Sequence, residues 1–348
     1  MSLPALVRGT GLALALAVLA SCRIESAAPS SGTRAASEGA PTGEVWVYTS
    51  MYQHVLDALE PLLKRELPGV TVRWYQAGSE KVASRLEAER AAGAIRADLL
   101  ATSDPFLVER LARDGTFLPY ASSHVLRVPR ALLDLDARYA AIRVSTMVLV
   151  HREGSLPPPT SFAALVDGTW PGRVAIGDPL TSGTAFTWAV FCQAQHGEGY
   201  FAGLRKQGAI VAGGNAAVLQ KVESGEADAG VLLLENALTA RTRGSRIHVV
   251  WPTDGAVTIP GPVAILAKTP NPVAARAVVD VLLSPEGQRL IVEKGDMHAV
   301  DPRLTGPRGE PGVEVLLERT QPWTPELLQQ GLARGGSLKE SFTRAFSK

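Results

Sequence analysis

Cysteine is almost missing from this chain: Cys22 and Cys192 are the two in 348 residues. A disulfide framework is thereby excluded as the basis of the fold. A chain of this length can bury two cores of ordinary size without one. A charge excess is missing too. There are 35 Lys and Arg against 34 Asp and Glu, a net charge of +1, so the basic footprint of a nucleic-acid binder is absent. The six histidines show no metal-ligand spacing; His124, His151, His196, His248 and His298 each sit alone. No G-x-S-x-G elbow, H-E-x-x-H pair or P-loop occurs. A catalytic reading needs a nucleophile with its base, paired carboxylates or a metal set, and none is visible. No enzyme activity and no cofactor are expected.

Long apolar runs are also lacking. The run at residues 11–20, preceded by Arg8, is half of the roughly 20 residues that span a bilayer. It suits the h-region of an export signal. It ends in Leu19-Ala20-Ser21-Cys22, which resembles the lipobox of bacterial lipoproteins. That resemblance implies a signal peptide over 1–22, lipidation of Cys22 and an extracytoplasmic, membrane-anchored protein. The alternative is an ordinary signal peptide with a chance cysteine. Stable anchoring takes more than one acyl chain. Residues 23–43 are Ser, Ala, Gly, Pro and Thr with few large apolar groups, the composition of a flexible tether. Cys192 is then unpaired. Its apolar surroundings, residues 188–192, mark it as core rather than reactive.

From Glu44 onward, strand and helix patterns alternate. Residues 45–48 and 70–75 read as strands. Between them Val55, Leu56, Leu59, Leu62 and Leu63 recur at helical spacing until Pro68-Gly69, with Pro61 as a possible kink point. A helix over 80–92, a short strand at 98–101 and a helix opened by Asp104-Pro105 follow. Beyond them, strands are expected at 144–151, 174–176, 209–212, 229–233 and 263–267. Helices are expected at 184–195, 216–223, 272–283 and 285–294. The alternation predicts an α/β body with mostly parallel strands. An amphipathic tail at 327–346 is expected to pack on the first lobe and carries no assigned chemistry.

Four segments, in order, resemble the bacterial extracellular solute-binding proteins related to ferric-ion, phosphonate, thiamine and sugar-phosphate binders. They are residues 44–50 with the helix after them; residues 78–92 leading to Ala97-Asp98-Leu99-Leu100; residues 162–184, containing Trp170-Pro171-Gly172-Arg173-Val174-Ala175-Ile176, Asp178-Pro179 and Ser182-Gly183-Thr184; and residues 260–288. The resemblance implies a two-lobed, type II-like periplasmic-binding-protein fold with crossover strands as the hinge. Lobe one would be 44–143 plus 262–348, and lobe two 144–261. It also implies a monomer that hands its ligand to the permease and ATPase subunits of an ABC importer. A ligand-sensing subunit or a phosphate-ester hydrolase are the other readings of such a cleft.

Ser182-Gly183-Thr184, between a strand and a helix, carries the strongest signal for a ligand. A helix N-terminus offers unpaired N–H groups and about half a positive charge, and glycine permits close backbone approach, which together suit a phosphate, phosphonate or carboxylate. Plain helix capping is the other reading of the same residues. Thr49, Ser50 and Tyr52 after the first strand, Ser79 at a helix start, Ser103 after the third strand and Asn215 at a helix start are expected to face the same cleft. Ferric members of the family hold the ion through a tyrosine pair; where it would stand, after Gly225-Glu226-Ala227-Asp228-Ala229-Gly230, this chain reads Val231-Leu232-Leu233-Leu234-Glu235-Asn236. Tyr52, His54, Asp104 and Glu235 would have to form an unusual oxygen-rich site. An organic phosphate or phosphonate is therefore the expected ligand, with Glu235 placed to meet an ammonium group on it. A ferric ion is the alternative.

Overall fold

The computed structural model describes residues 39–347. The expected export signal, Cys22 and most of the expected tether lie outside the described residues. In chain order the elements are β1 (Gly43–Thr49), α1 (Gln53–Glu66), β2 (Val70–Gln76), α2 (Ser79–Ala91), β3 (Leu99–Ala101), α3 (Pro105–Arg113), β4 (Phe117–Leu118), β5 (Ala140–Arg152) and β6 (Val174–Ile176). Next come α4 (Gly183–His196), α5 (Tyr200–Lys206), β7 (Ile210–Val211), α6 (Asn215–Glu223), β8 (Ala229–Leu233), α7 (Leu234–Thr242), β9 (Ile247–Val250) and β10 (Val257–Leu266). Finally come α8 (Pro272–Leu283), α9 (Pro285–Gly295), α10 (Val313–Glu318) and α11 (Pro325–Phe346). None of these helices is long and apolar enough to cross a membrane.

The strands form one path, β2-β1-β3-β10-β5-β8-β6-β7, with β4 added to β10 and β9 to β5. At one end β2, β1 and β3 are parallel; at the other β8, β6 and β7 are parallel. Two long antiparallel strands, β5 and β10, join the ends. The C-terminal half of β10 pairs with β3, and the C-terminal half of β5 pairs with β8 and β9. This is a mixed α/β fold with two parallel-stranded halves and a two-strand crossover. Leu59, Leu62 and Leu63 of α1 bury against Val278, Leu282 and Ile291 of α8 and α9 in one core. Phe162, Trp188, Phe191 and Phe201 fill the other. Cys192 is fully buried there, as expected.

Two prolines stand inside β10, where a missing N–H ordinarily breaks a ladder. Pro262 occupies the β-bulge between Gly261 and Pro262. Pro260 faces Val144 of β5, and Val144 exchanges both of its backbone hydrogen bonds with His298 instead, at 2.9 and 3.1 Å. Pro260 therefore leaves Val144 with its backbone bonds made elsewhere.

The structure differs from the sequence-based reading in four respects. The strands are not mostly parallel: among the described residues five of the nine strand pairings are antiparallel, because β5 and β10 run against their neighbours. β5 and β10 are each longer than the runs 144–151 and 263–267, since the crossover strands continue through polar and proline-bearing positions. α1 runs through Pro61 without a break. The tail helix α11 does not pack on the first lobe alone: it lies along α4 and α5 and reaches α3. Phe342 meets Phe201 edge-on, and Gly331 sits against the Phe106 ring. Lys339 pairs with Glu80 at 3.4 Å.

Candidate ligand-binding cleft

The ends of the strands on both sides of the crossover open onto one cavity of about 170 Å³. Five helices begin on it. Tyr52, Gly78, Ser182, Gly214 and Leu233, the N-cap residues of α1, α2, α4, α6 and α7, all line it. Of the five, only Ser182 bonds its own helix through its side chain, accepting from the Ala185 N–H. First-turn N–H groups and the positive ends of five helix dipoles therefore converge on one small volume.

Arg143 completes the positive wall. It stands in β5, within a run of eleven buried residues, and is itself 3% exposed. Its guanidinium donates to Ser103 Oγ at 2.8 Å and Ser145 Oγ at 3.2 Å. Among the described residues it makes no ion pair, and it lines the cavity. Room for it comes from its register partner Gly261. A β-carbon there would stand 2.7 Å from Arg143 Cγ and 2.9 Å from its Cζ. Burial lowers the Arg143 pKa, offset by Glu235 and Tyr52, but an arginine stays protonated.

The hydroxyls of the cleft form two short chains. Ser50 Oγ lies 3.0 Å from Ser103 Oγ and accepts from the Ser103 N–H at 2.9 Å. Ser182 Oγ lies 3.1 Å from Thr184 Oγ1, which accepts from Asn215 Nδ2 at 3.1 Å. Asn215 Oδ1 in turn accepts from the Leu233 N–H at 3.2 Å. Tyr52 donates its hydroxyl across the cleft to Asn236 Oδ1 at 2.9 Å, and burial pushes its pKa well above the usual range. Thr239 likewise donates to Asp296 at 2.9 Å.

Eight of the ten expected ligand residues line this cavity: Ser50, Tyr52, Ser79, Ser103, Ser182, Thr184, Asn215 and Glu235. Two do not. Thr49 is 1% exposed and its hydroxyl accepts from the Met51 N–H, shaping the turn. Gly183 spends its N–H on Ser79 Oγ at 3.1 Å, and a β-carbon there would lie 2.6 Å from that oxygen. Its close approach is to Ser79 on the facing wall, not to the cavity. Arg143 was missed, because the strand as read from the sequence starts one residue after it. A lone arginine inside Ala140-Ala141-Ile142-Arg143-Val144 was the available signal.

Glu235, in the first turn of α7, is 3% exposed. Burial raises its carboxyl to about 7, against the pull of Ser145, its own N–H and Arg143, while Asp296 adds to the rise. With Tyr52 it also borders a second, outer chamber of about 450 Å³ that includes His54, Glu223 and Arg243. Asp104 does not join Tyr52, His54 and Glu235. It caps α3 by accepting from the Leu107 N–H at 3.0 Å. Among the described residues no group of three or more His, Cys, Asp or Glu is placed to hold a metal ion.

A family model described as bacterial extracellular solute-binding protein matches residues 44–295. The molybdate-binding protein ModA of Mycobacterium tuberculosis is 24% identical over 287 residues, 82% of this chain and 96% of that protein. Among solved structures, a substrate-binding protein of an ABC transporter from Agrobacterium tumefaciens superposes with a TM-score of 0.77 at 21% identity, covering 89% of this chain and 96% of that one. Iron-bound HitA from Pseudomonas aeruginosa gives 0.75 at 20%, over 87% and 99%. The periplasmic binding protein AfuA from Actinobacillus pleuropneumoniae, with fructose-6-phosphate bound, gives 0.75 at 18%, over 88% and 99%.

Proposed function

The chain belongs to the bacterial extracellular solute-binding proteins, and from that premise we propose that it is the substrate-binding component of an ABC importer, capturing a small organic phosphate or phosphonate in its cleft. The observation that carries the reading is Arg143: a buried guanidinium, bonded to hydroxyls and, among the described residues, without an ion pair, on a cavity where five helices start. A buried charge is costly unless it meets a counter-charge, and an anion supplies one. The inner cavity has room for five or six waters at about 30 Å³ each, the scale of a single tetrahedral oxyanion group. The outer chamber, sharing Tyr52 and Glu235 with it, leaves space for an organic remainder.

A bare tetrahedral oxyanion is the second reading, favoured by the size of the inner cavity and by the name of the mycobacterial relative. Ferric ion ranks below both. Among the described residues no group of three or more His, Cys, Asp or Glu is placed to hold it, and Asp104 is engaged in capping α3. We read the protein as a binder rather than a hydrolase because the family it belongs to is one of solute-binding proteins. Lobe boundaries at 44–143 plus 262–348 and 144–261, closure about β5 and β10, anchoring through Cys22 and a monomeric state belong to the same proposal.

A thermal-shift and calorimetric panel tests it, with glycerol 3-phosphate, fructose 6-phosphate, 2-aminoethylphosphonate, molybdate, sulfate and ferric citrate. A phosphate ester or phosphonate at 100 times its dissociation constant should add about 2.7 kcal/mol of stability. Tight binding of molybdate with no response to the organic anions moves the assignment to the second reading. Ferric binding alone sinks both anion readings. Release of phosphate from the esters would reinstate the hydrolase.

A further inference from the structure

Resting on the anion reading above, we propose that Glu235 meets its ligand as a carboxylic acid, donating a hydrogen bond to an oxygen of the bound anion, so that capture takes up one proton from solution. Every other polar side chain on the inner cavity is a hydroxyl, an amide or the Arg143 guanidinium; Glu235 is the one acid among the lining residues. It is 3% exposed and, among the described residues, makes no ion pair. The guanidinium that stands nearest in charge is already bonded to Ser103 and Ser145. Glu235 lines the same cavity of about 170 Å³ as Arg143 and the starts of the five helices, so an anion drawn to those groups would meet this carboxyl. Two anionic oxygens cannot share that contact without a proton between them. In the loaded site the helix N-termini and Arg143 turn to the ligand, and the carboxyl keeps the proton.

The groups around Glu235 agree with this assignment. From β5 it faces Arg143 and Ser145. Tyr52, before α1, gives its hydroxyl to Asn236 and has no proton to spare for the carboxyl. Asp296, after α9, carries the same sign and is held by Arg308 at 2.7 Å and by Thr239. His54, Glu223 and Arg243 line the outer chamber rather than the inner one. Burial places the free carboxyl at about 7, so the proton is gained or lost in the physiological range.

A ligand ammonium paired with an ionised Glu235 is the opposite arrangement, and the two differ in sign. If Glu235 donates, affinity is level below pH 6 and falls up to tenfold per pH unit above about pH 7. If an ionised Glu235 accepts from an ammonium, affinity rises as pH increases through 7. Calorimetry from pH 5.5 to 9 with sulfate and molybdate, which stay ionised throughout, and with methylphosphonate and 2-aminoethylphosphonate, separates them. For the tightest-binding anion, titrations at pH 8 in buffers of different ionisation enthalpy should show nearly one proton taken up per ligand. Glu235→Gln, which donates at every pH, should bind that anion with a flat profile and little proton uptake. A flat profile in the unaltered protein, or an affinity that climbs through pH 7, overturns the assignment while leaving the anion reading intact. Failure of every anion to bind overturns both. Should the variant fold poorly, proton uptake by the unaltered protein decides alone.

Discussion

At the scale of single residues, the site depends on small groups that make room for charged ones. Gly261 is glycine because the Arg143 side chain passes where its β-carbon would be. Gly261→Ala should cost about 1–3 kcal/mol in overpacking. If that strain falls on the guanidinium, anion affinity drops about tenfold to a hundredfold; calorimetry beside a denaturant titration separates the two effects. Glu235 carries a cost of its own in the empty protein. Its folded pKa, about 7, lies above the ordinary 4.5, so the native state holds the proton more tightly than the unfolded chain. Stability is therefore lost as pH rises from about 4.5 to 7, on the order of 3 kcal/mol in full. Glu235→Gln should match the parent near pH 4 and exceed it at pH 8 by up to about that amount, measured by urea unfolding without ligand.

At the scale of elements, much of the cleft was legible in the sequence because its residues are local. A serine or asparagine at a helix start follows from spacing and capping rules, and the cavity brings Ser79, Ser182 and Asn215 together. Arg143 was not legible in that way. Its role depends on β5 being a central crossover strand with Gly261 opposite, and strand pairing across more than a hundred residues leaves no local mark. The tail was half legible: amphipathicity announced a helix but not its partners. α11 packs on α4, α5 and α3 together because its apolar face meets Phe106, Phe186 and Phe201, which belong to different elements. Gly331 permits the contact, since a β-carbon there would lie 2.1 Å from Phe106. Gly331→Ala should destabilise by about 1–3 kcal/mol despite improving helix propensity, and a shift of the denaturant midpoint at unchanged slope would register it.

At the scale of the whole molecule, the cleft is drawn shut by hydrogen bonds between its walls. Tyr52 reaches Asn236, Gly183 reaches Ser79, and Thr239 reaches Asp296. In the proposed hinge motion, opening would break these and bend β5 and β10, the strands that join the two parallel-stranded halves. The contact between Pro260 and Val144 lies in that bend. There the ladder bonds of Val144 run to His298 rather than to β10, so the two crossover strands are less tightly laced at the point where the proposed hinge would flex.

The crossover has a consequence for the order of events in the life of the chain. The core that holds Val45, Leu59 and Leu99 also holds Val263, Val278, Ile291 and Leu316. Its first and last members are synthesised some 270 residues apart. Nothing near the N-terminus can complete a core until β10, α8 and α9 exist, and closing so long a loop is slow. The first parallel-stranded half of the nascent chain therefore stays without a complete core until β10, α8 and α9 have been made. A fragment of residues 44–143, which lacks β10, α8 and α9, should show no cooperative unfolding transition by circular dichroism. A sharp transition in that fragment would mean that the early segments fold alone.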